Sequence, residues 1–293
     1  EVSLMIQEID SPGKINLTLR ITGTRSDGMH DIASLFMKLP ALEKLTLGIR
    51  SEGKGRKDLI RVHGQKIEGR NIIQSVLEIA REKEPHIPSI SADIWKQVPP
   101  GSGLGAGSGN AAALALWLSK EMSIGFTVEE LLKIGSDVPF LFKGVEMSFM
   151  IGRGEKVFQK ITGVADLFKV VVAVPRWSCP TPFMYERADW FYRKEGWKCS
   201  EEEAFEEALV ILGSLERRKR VGILPNDFVP VLLATHPGYR LLFEAAENGG
   251  ASAWGVSGSG SAFFCLFDRE EGDFSPLTLL KEAGFVRKIL VLE

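Results

Sequence analysis

The feature that most constrains this chain is the stretch 99–113, PPGSGLGAGSGNAAA. Glycine stands at Gly101, Gly103, Gly105, Gly107 and Gly109, and an alanine run follows. Ordered glycine loses more backbone entropy than any other residue, so five at alternate positions need a structural reason. The stretch lies between an alternating segment, SISADIWKQV (89–98), and an apolar one, 110–122. A flexible linker would instead join folded blocks through polar sequence. Gly101, Gly103 and Ala106 do fit the dinucleotide fingerprint G-x-G-x-x-A, with Glu121 downstream. That fingerprint follows a continuously apolar, buried parallel strand, so it is the weaker alternative here. A Walker loop is excluded because no Lys-Ser or Lys-Thr pair follows the glycines. The residues favour a glycine-rich turn opening a helix. There, free N–H groups and the helix dipole attract an anion, and missing Cβ atoms let phosphate oxygens approach. Ser102 and Ser108 add hydroxyl donors, which makes the stretch a triphosphate cradle of non-Walker type.

The rest of the composition narrows the partners. With 293 residues the expectation is two domains. A net charge of −2 argues against nucleic acid as a partner, so any phosphate chemistry must rest on local donors. No run of eighteen apolar residues suggests a membrane span. The opening EVSLMIQEID lacks the charged-then-apolar layout of a secretory leader, and a cytoplasmic location is expected. Cys179, Cys199 and Cys265 are widely spaced, which fits a reducing compartment and neither a disulfide framework nor a zinc site. The four histidines are equally scattered, so no metal cluster is expected.

Alternating segments at 14–22, 44–49 and 89–98 read as strands. NIIQSVLEIAREK (71–83) has helical spacing, with Asn71 as N-cap. The apolar run 110–122 reads as a buried helix. Thr127 and Glu130 form a capping box before a short helix closed by Gly135. Beyond residue 165 the order is a continuous apolar strand (168–174), an amphipathic helix with acids first and bases last (201–218), more helix, and strands with one further helix. This predicts an α+β chain with domains at 1–164 and 165–293.

Three further pieces accompany the cradle: SPGKINLTLRITGTRSDGMHDIASLF near the start, IGSDVPFLFKG after the cradle helix, and WGVSGSGSAFF near the end. Together, in this order, they resemble the motifs of the GHMP kinase superfamily. The wording is nearest to its members that act on a cytidine-diphosphate-linked methylerythritol in isoprenoid-precursor biosynthesis. The resemblance implies a ribosomal-protein-S5-like N-terminal domain, a ferredoxin-like C-terminal domain, and an active site between them. It implies ATP with Mg²⁺ as co-substrate, a small-molecule acceptor, and a monomer or homodimer. Mevalonate or homoserine kinases, and a non-catalytic nucleotide-binding homologue, are the alternative readings.

By the same resemblance, Asp137 is the catalytic base and Lys14 its charge partner. Pro99, Gly101, Gly103, Leu104, Gly105, Ala106, Gly107, Ser108, Gly109 and Asn110 form the ATP loop, with Asn71 and Lys96 at the adenosine. The resemblance assigns no metal ligand, Ser108 being the nearest candidate. Asn16, His30, Thr181, Pro182, Tyr185, Gly258 and Gly260 are implied as acceptor contacts. His30 would read the cytosine edge and Tyr185 would stack on the ring. Three departures stand out: Met29 where the family has tyrosine, Gly109 where it has serine, and a shorter link before IGSDVP.

Overall fold

A computed structural model describes residues 6–50, 57–65 and 69–292. Residues 1–5, part of the opening stretch read above, lie outside the described residues. In chain order the elements are strands β1 (Ile6–Asn16), β2 (Arg20–Thr24), β3 (His30–Ile49) and β4 (Leu59–His63), helix α1 (Ile72–Lys83) and strand β5 (Ile90–Trp95). Helices α2 (Ala106–Met122), α3 (Val128–Ile134) and α4 (Val138–Lys143) follow, then strands β6 (Met147–Ile151), β7 (Lys156–Ile161) and β8 (Phe168–Pro175). The remainder is α5 (Thr181–Tyr192), α6 (Glu201–Glu216), β9 (Gly222–Ile223), α7 (Val229–Thr235) and α8 (Tyr239–Asn248). It ends with β10 (Ala253–Val256), β11 (Phe263–Asp268), α9 (Ser275–Glu282) and β12 (Val286–Leu292).

These elements form two compact units. The first holds the chain up to Lys14, Lys38–Pro100 and Gly105–Gly144; the second holds Ile15–Met37, Gly101–Leu104 and the chain from Val145 onward. The segment expected as a second domain falls wholly in the second unit, whereas the segment expected as a first domain contributes to both. The twenty-residue strand β3 is one cause: its first part belongs to the second unit and its last part to the first. Local composition along a strand carries no mark of such a crossing.

In the first unit β5 lies between β4, to which it is parallel, and the last part of β3, to which it is antiparallel. Ile90, Ala92 and Ile94 are fully buried on one face of β5, as the alternation predicts. The helices of the unit pack on one another, α2 against α1 and α4 and α3 against α1 and α4. Asn71 caps α1 by accepting the Ile73 N–H at 3.2 Å. The Thr127–Glu130 capping box of α3 closes as expected, in both directions. Helix α2 begins at Ala106, four residues before the apolar run, because Gly105 takes the left-handed conformation (φ 64°) as its N-cap. Its alanines at 111–113 and 115 are buried and give a thin helix that packs closely against α1 and α4.

In the second unit the first part of β3 pairs antiparallel with β2 and with β6, and β7 continues beyond β6. The strand expected over 14–22 is interrupted: β1 ends at Asn16 and β2 begins at Arg20. The polar side chains of Thr18 and Ser34 fill the break, with Ser34 Oγ donating to the Thr18 carbonyl and Thr18 Oγ1 accepting the Leu35 N–H. The second sheet has the order β12-β8-β11-β10-β9. Its apolar side packs Val171, Ala173, Phe263 and Cys265 against Phe228, Tyr239 and Leu242. Three helices, α4, α5 and α7, were not anticipated. Each carries a proline in its first turn, where no intrahelical N–H is needed.

Candidate active site

In the first unit, Lys14 comes from the end of β1 and Asp137 from the N-cap position of α4. Lys14 Nζ stands 3.9 Å from Asp137 Oδ2, and both side chains are largely shielded from solvent. Burial pushes the Lys14 ammonium below the usual lysine range, and the charge of Asp137 opposes that shift. Gly105 borders the pair: a Cβ there would lie 3.2 Å from Lys14 Cγ and 3.3 Å from Asp137 Oδ2. The N-terminus of α2, with its N–H groups lacking intrahelical acceptors, therefore opens beside a lysine and a carboxylate. Ser108 lies in the same turn, with its Oγ 3.4 Å from the position of a Cβ on Gly135.

Not every residue of the loop faces the same way. Gly109 is buried, and a Cβ on it would sit 1.7 Å from the Pro12 carbonyl oxygen. No side chain fits there, so this fold has no room for the serine that the family carries at the position. Asn110 is also buried: Ser11 Oγ donates to its Oδ1 at 2.6 Å, and its Nδ2 donates to Glu43 at 3.0 Å. The same Glu43 carboxylate accepts from Lys96 Nζ at 2.7 Å and from the N–H groups of Gln97 and Val98. The Lys96 ammonium is thus held in a buried network beneath the loop. Asn71, by contrast, has its Nδ2 shielded from solvent with no hydrogen-bond partner among the described residues. Leu104 and Ala106 are buried, while Pro99, Gly101 and Gly107 are partly or fully exposed.

In the second unit the glycine stretch meets the loop between β10 and β11. Ser257 Oγ donates to the Gly103 carbonyl at 2.7 Å, and the Ala262 N–H donates to the Ser102 carbonyl at 2.9 Å. Gly103 (φ +82°) is required, since a Cβ would lie 2.1 Å from the Ser257 carbonyl. Asn16 is buried here; its N–H donates to Ser257 Oγ and its Nδ2 to Ser34 Oγ at 2.8 Å. Thr181 Oγ1 lies 3.1 Å from Ser259 Oγ, which joins the start of α5, with Pro182, to the turn that holds Gly258 and Gly260. Asn226 Nδ2 donates to the Gly258 carbonyl.

His30 is buried at the start of β3, stacked on Tyr185 with ring centroids 4.5 Å apart. Trp197 meets the His30 ring edge-on at 5.7 Å, and His30 Nε2 lies 2.7 Å from Asp189 Oδ1. Burial pushes the Tyr185 phenol up to about 12. Met29 is half exposed beside this cluster in sequence.

Sequence reasoning singled out neither Asp189, Trp197, Ser257 nor Glu43. Tyr185 and Asp189 lie four apart on α5 and so share a helix face; reading that segment as a helix would have paired them. Glu43 carried no local signal.

Strand order, helix placement and cradle define a class, the GHMP kinases. The family model described as GHMP kinases N terminal domain matches residues 71–150, and that described as GHMP kinases C terminal matches residues 204–274. A crystal structure of 4-(cytidine 5'-diphospho)-2C-methyl-D-erythritol kinase shares the fold with a TM-score of 0.78 at 24% identity, covering 98% of each chain. A curated 4-diphosphocytidyl-2-C-methyl-D-erythritol kinase of Nitratidesulfovibrio vulgaris is 31% identical over 92% of this chain and 93% of its own length. The chloroplastic enzyme of that name from Arabidopsis thaliana is 36% identical over 64% of this chain; the match spans half of that relative's length. The chain belongs to the GHMP kinases, in the family of the 4-diphosphocytidyl-2-C-methyl-D-erythritol kinases.

Proposed function

We propose that the chain transfers the terminal phosphoryl group of ATP to the tertiary 2-hydroxyl of 4-diphosphocytidyl-2-C-methyl-D-erythritol, giving the 2-phosphate and ADP in isoprenoid-precursor synthesis. The observation that carries the reading is the Lys14–Asp137 pair standing at the open N-terminus of α2, where phosphates are favoured. Asp137 accepts the proton of the attacking hydroxyl as its oxygen bonds to phosphorus. The bond from the terminal phosphorus to the bridging oxygen breaks, and ADP leaves with that electron pair. Lys14 offsets the charge that gathers on the transferring group. The N–H groups of Ala106, Gly107 and Ser108 orient the phosphates, and the unpaired Asn71 Nδ2 supplies a donor toward the adenosine.

Among the described residues no group of three or more His, Cys, Asp or Glu could hold a metal ion. Mg²⁺ bound with ATP would be held by the nucleotide phosphates and water, with the Ser108 hydroxyl as the nearest candidate donor of the chain, and would supply neutralisation of phosphate charge. In the second unit, His30 and Tyr185 read the cytosine, while Asn16, Gly258 and Gly260 shape the surrounding backbone. Asn110, Gly109 and Lys96 hold the loop in shape from below. Cys179 and Cys265 are buried free thiols, and Cys199 is a partly exposed one. No helix among the described residues is long and apolar enough to cross a membrane.

The test is ADP release with ATP and Mg²⁺ in the presence of the cytidyl acceptor, mevalonate or homoserine in turn. Turnover with the cytidyl acceptor alone supports the reading. Turnover only with another alcohol would overturn the substrate, and none with any acceptor would leave a nucleotide-binding protein.

A further inference from the structure

Tyr239, the first residue of α8, is the largest fully buried side chain among the described residues. A phenylalanine would fill the same space, so the hydroxyl needs a reason. A buried O–H is costly unless it finds an acceptor. This one donates to the Ser261 carbonyl at 2.9 Å. A carbonyl only accepts, so the single phenolic proton is committed there, and the Cys179 thiol, 3.6 Å away, donates to the phenolic oxygen. Burial pushes the Tyr239 phenol well above the usual tyrosine range, so it stays a donor at neutral pH.

Ser261 belongs to the turn between β10 and β11 that carries Gly258 and Gly260. Gly260 lies against the tyrosine and the cysteine: a Cβ on it would stand 3.0 Å from Tyr239 Oη and 3.2 Å from Cys179 Sγ. The Gly260 N–H donates to the Ser257 carbonyl at 3.1 Å, closing the turn on itself. A second brace comes from Thr181, whose Oγ1 lies 3.1 Å from Ser259 Oγ. Cys179 and Thr181 are two residues apart at the entry to α5. One short segment therefore meets the turn twice, once through the Tyr239 hydroxyl and once directly. Four residues after Thr181, the same helix carries Tyr185.

We propose that Tyr239 is a positioning residue for the acceptor: its hydroxyl locks the Gly258–Gly260 turn to the segment that starts α5. It thereby sets the spacing between that turn and the face of α5 that carries Tyr185. The inference rests on the proposed kinase reading and deepens it. Being fully buried, Tyr239 touches neither acceptor nor nucleotide and acts only through the turn. Its ring packs in the core, but only the hydroxyl reaches Ser261. Without that hydroxyl the buried Ser261 carbonyl is stranded, and the turn gains by opening toward another donor.

Tyr239→Phe in the full chain tests this with two readouts. Amide hydrogen exchange of the ligand-free protein should quicken about tenfold at Gly260 and Ala262, as a stranded carbonyl loosens the turn, and stay unchanged in β8. Steady-state assays with ATP, Mg²⁺ and the cytidyl acceptor should show the acceptor KM raised about fivefold, with kcat and the KM for ATP within about twofold. Phenylalanine keeps the packing, and a thermal melt verifies folding. Unchanged exchange at the turn overturns the brace. Quicker exchange with an unaltered acceptor KM makes the hydroxyl structural only and overturns the positioning role. So does a uniform change in kcat and both KM values. Failure of the kinase reading looks different: the unaltered chain then gives no turnover with the cytidyl acceptor, and the proposal falls with it.

Discussion

His30 Nε2 lies 2.7 Å from Asp189 Oδ1, joining the start of β3 to the face of α5 that carries Tyr185. An ionised carboxylate only accepts, so the histidine presents its Nε2–H to Asp189. Asp189 is thereby a positioning residue for the cytosine-reading histidine of the proposed reaction. Its side chain is nearly half exposed, which limits the worth of the bond to about 1 kcal/mol. Asp189→Ala is expected to raise KM for the cytidyl acceptor about fivefold while leaving kcat and the KM for ATP unchanged. An unaltered acceptor KM in steady-state assays would remove the orienting role.

Asp137→Asn keeps the shape of the N-cap position of α4 and removes the proton acceptor. A general base contributes roughly 10²–10⁴-fold, so kcat should fall by at least two orders of magnitude. ATP affinity, measured by calorimetry, should stay within a few-fold. A near-normal rate would show that the proton leaves by another route.

Lys14 carries a pH signature. Its folded pKa is lowered by burial, so between that value and the unfolded 10.5 the unfolded chain binds more protons than the folded one. Stability from this residue therefore rises with pH through that window, and the cost of burying the charge is fully present below it. Lys14→Met should flatten that rise, visible as the difference between wild-type and variant urea-unfolding free energies across the alkaline range. The variant should also lose turnover by orders of magnitude while melting no lower than wild type at neutral pH, since a desolvated charge has gone. A parallel pH dependence in both proteins would mean the ammonium is not desolvated.

Gly109→Ala would drive a methyl group to 1.7 Å from the Pro12 carbonyl, which belongs to backbone and cannot swing aside. The cost is at least about 3 kcal/mol, at the upper end for overpacking, and should appear as a large drop in denaturant midpoint. Gly107→Ala is the control: its Cβ would meet only Ile72 Cγ2 at 3.8 Å, an ordinary contact. Equal stability of the two variants would show that α2 can shift away from β1.

Lys96→Met leaves the fully buried Glu43 carboxylate without its ammonium, though still with the N–H groups of Gln97 and Val98 and with Asn110. Breaking a buried pair from one side costs about 3–5 kcal/mol. The double variant Lys96→Met with Glu43→Leu should recover a good part of that loss. If Lys96→Met instead raises the KM for ATP without altering stability, the lysine touches nucleotide rather than supporting the loop.

The parts legible in the sequence obey local rules. The cradle could be read because glycines, a helix N-terminus and an alanine run are a short-range pattern. The Asn71 cap and the Thr127 box rest on contacts of two or three residues, and the buried face of β5 on simple alternation. The ordered motifs around Lys14, the glycine stretch, Asp137 and Gly258 carry the resemblance to the kinase family within the sequence itself. What tertiary structure alone decided lies in pairs far apart in the chain. Asn110 meets Glu43, Asn16 meets Ser257, and His30 meets Asp189 across separations of 67, 241 and 159 residues. Nothing in one residue's neighbours encodes such a partner. The glycine stretch shows both sides: alternation predicted a loop open to phosphate, while packing turned Gly109 and Asn110 inward and left Gly105 beside Lys14 and Asp137. A single helix N-terminus has one outer face, and only the elements packed against it determine which residues occupy that face.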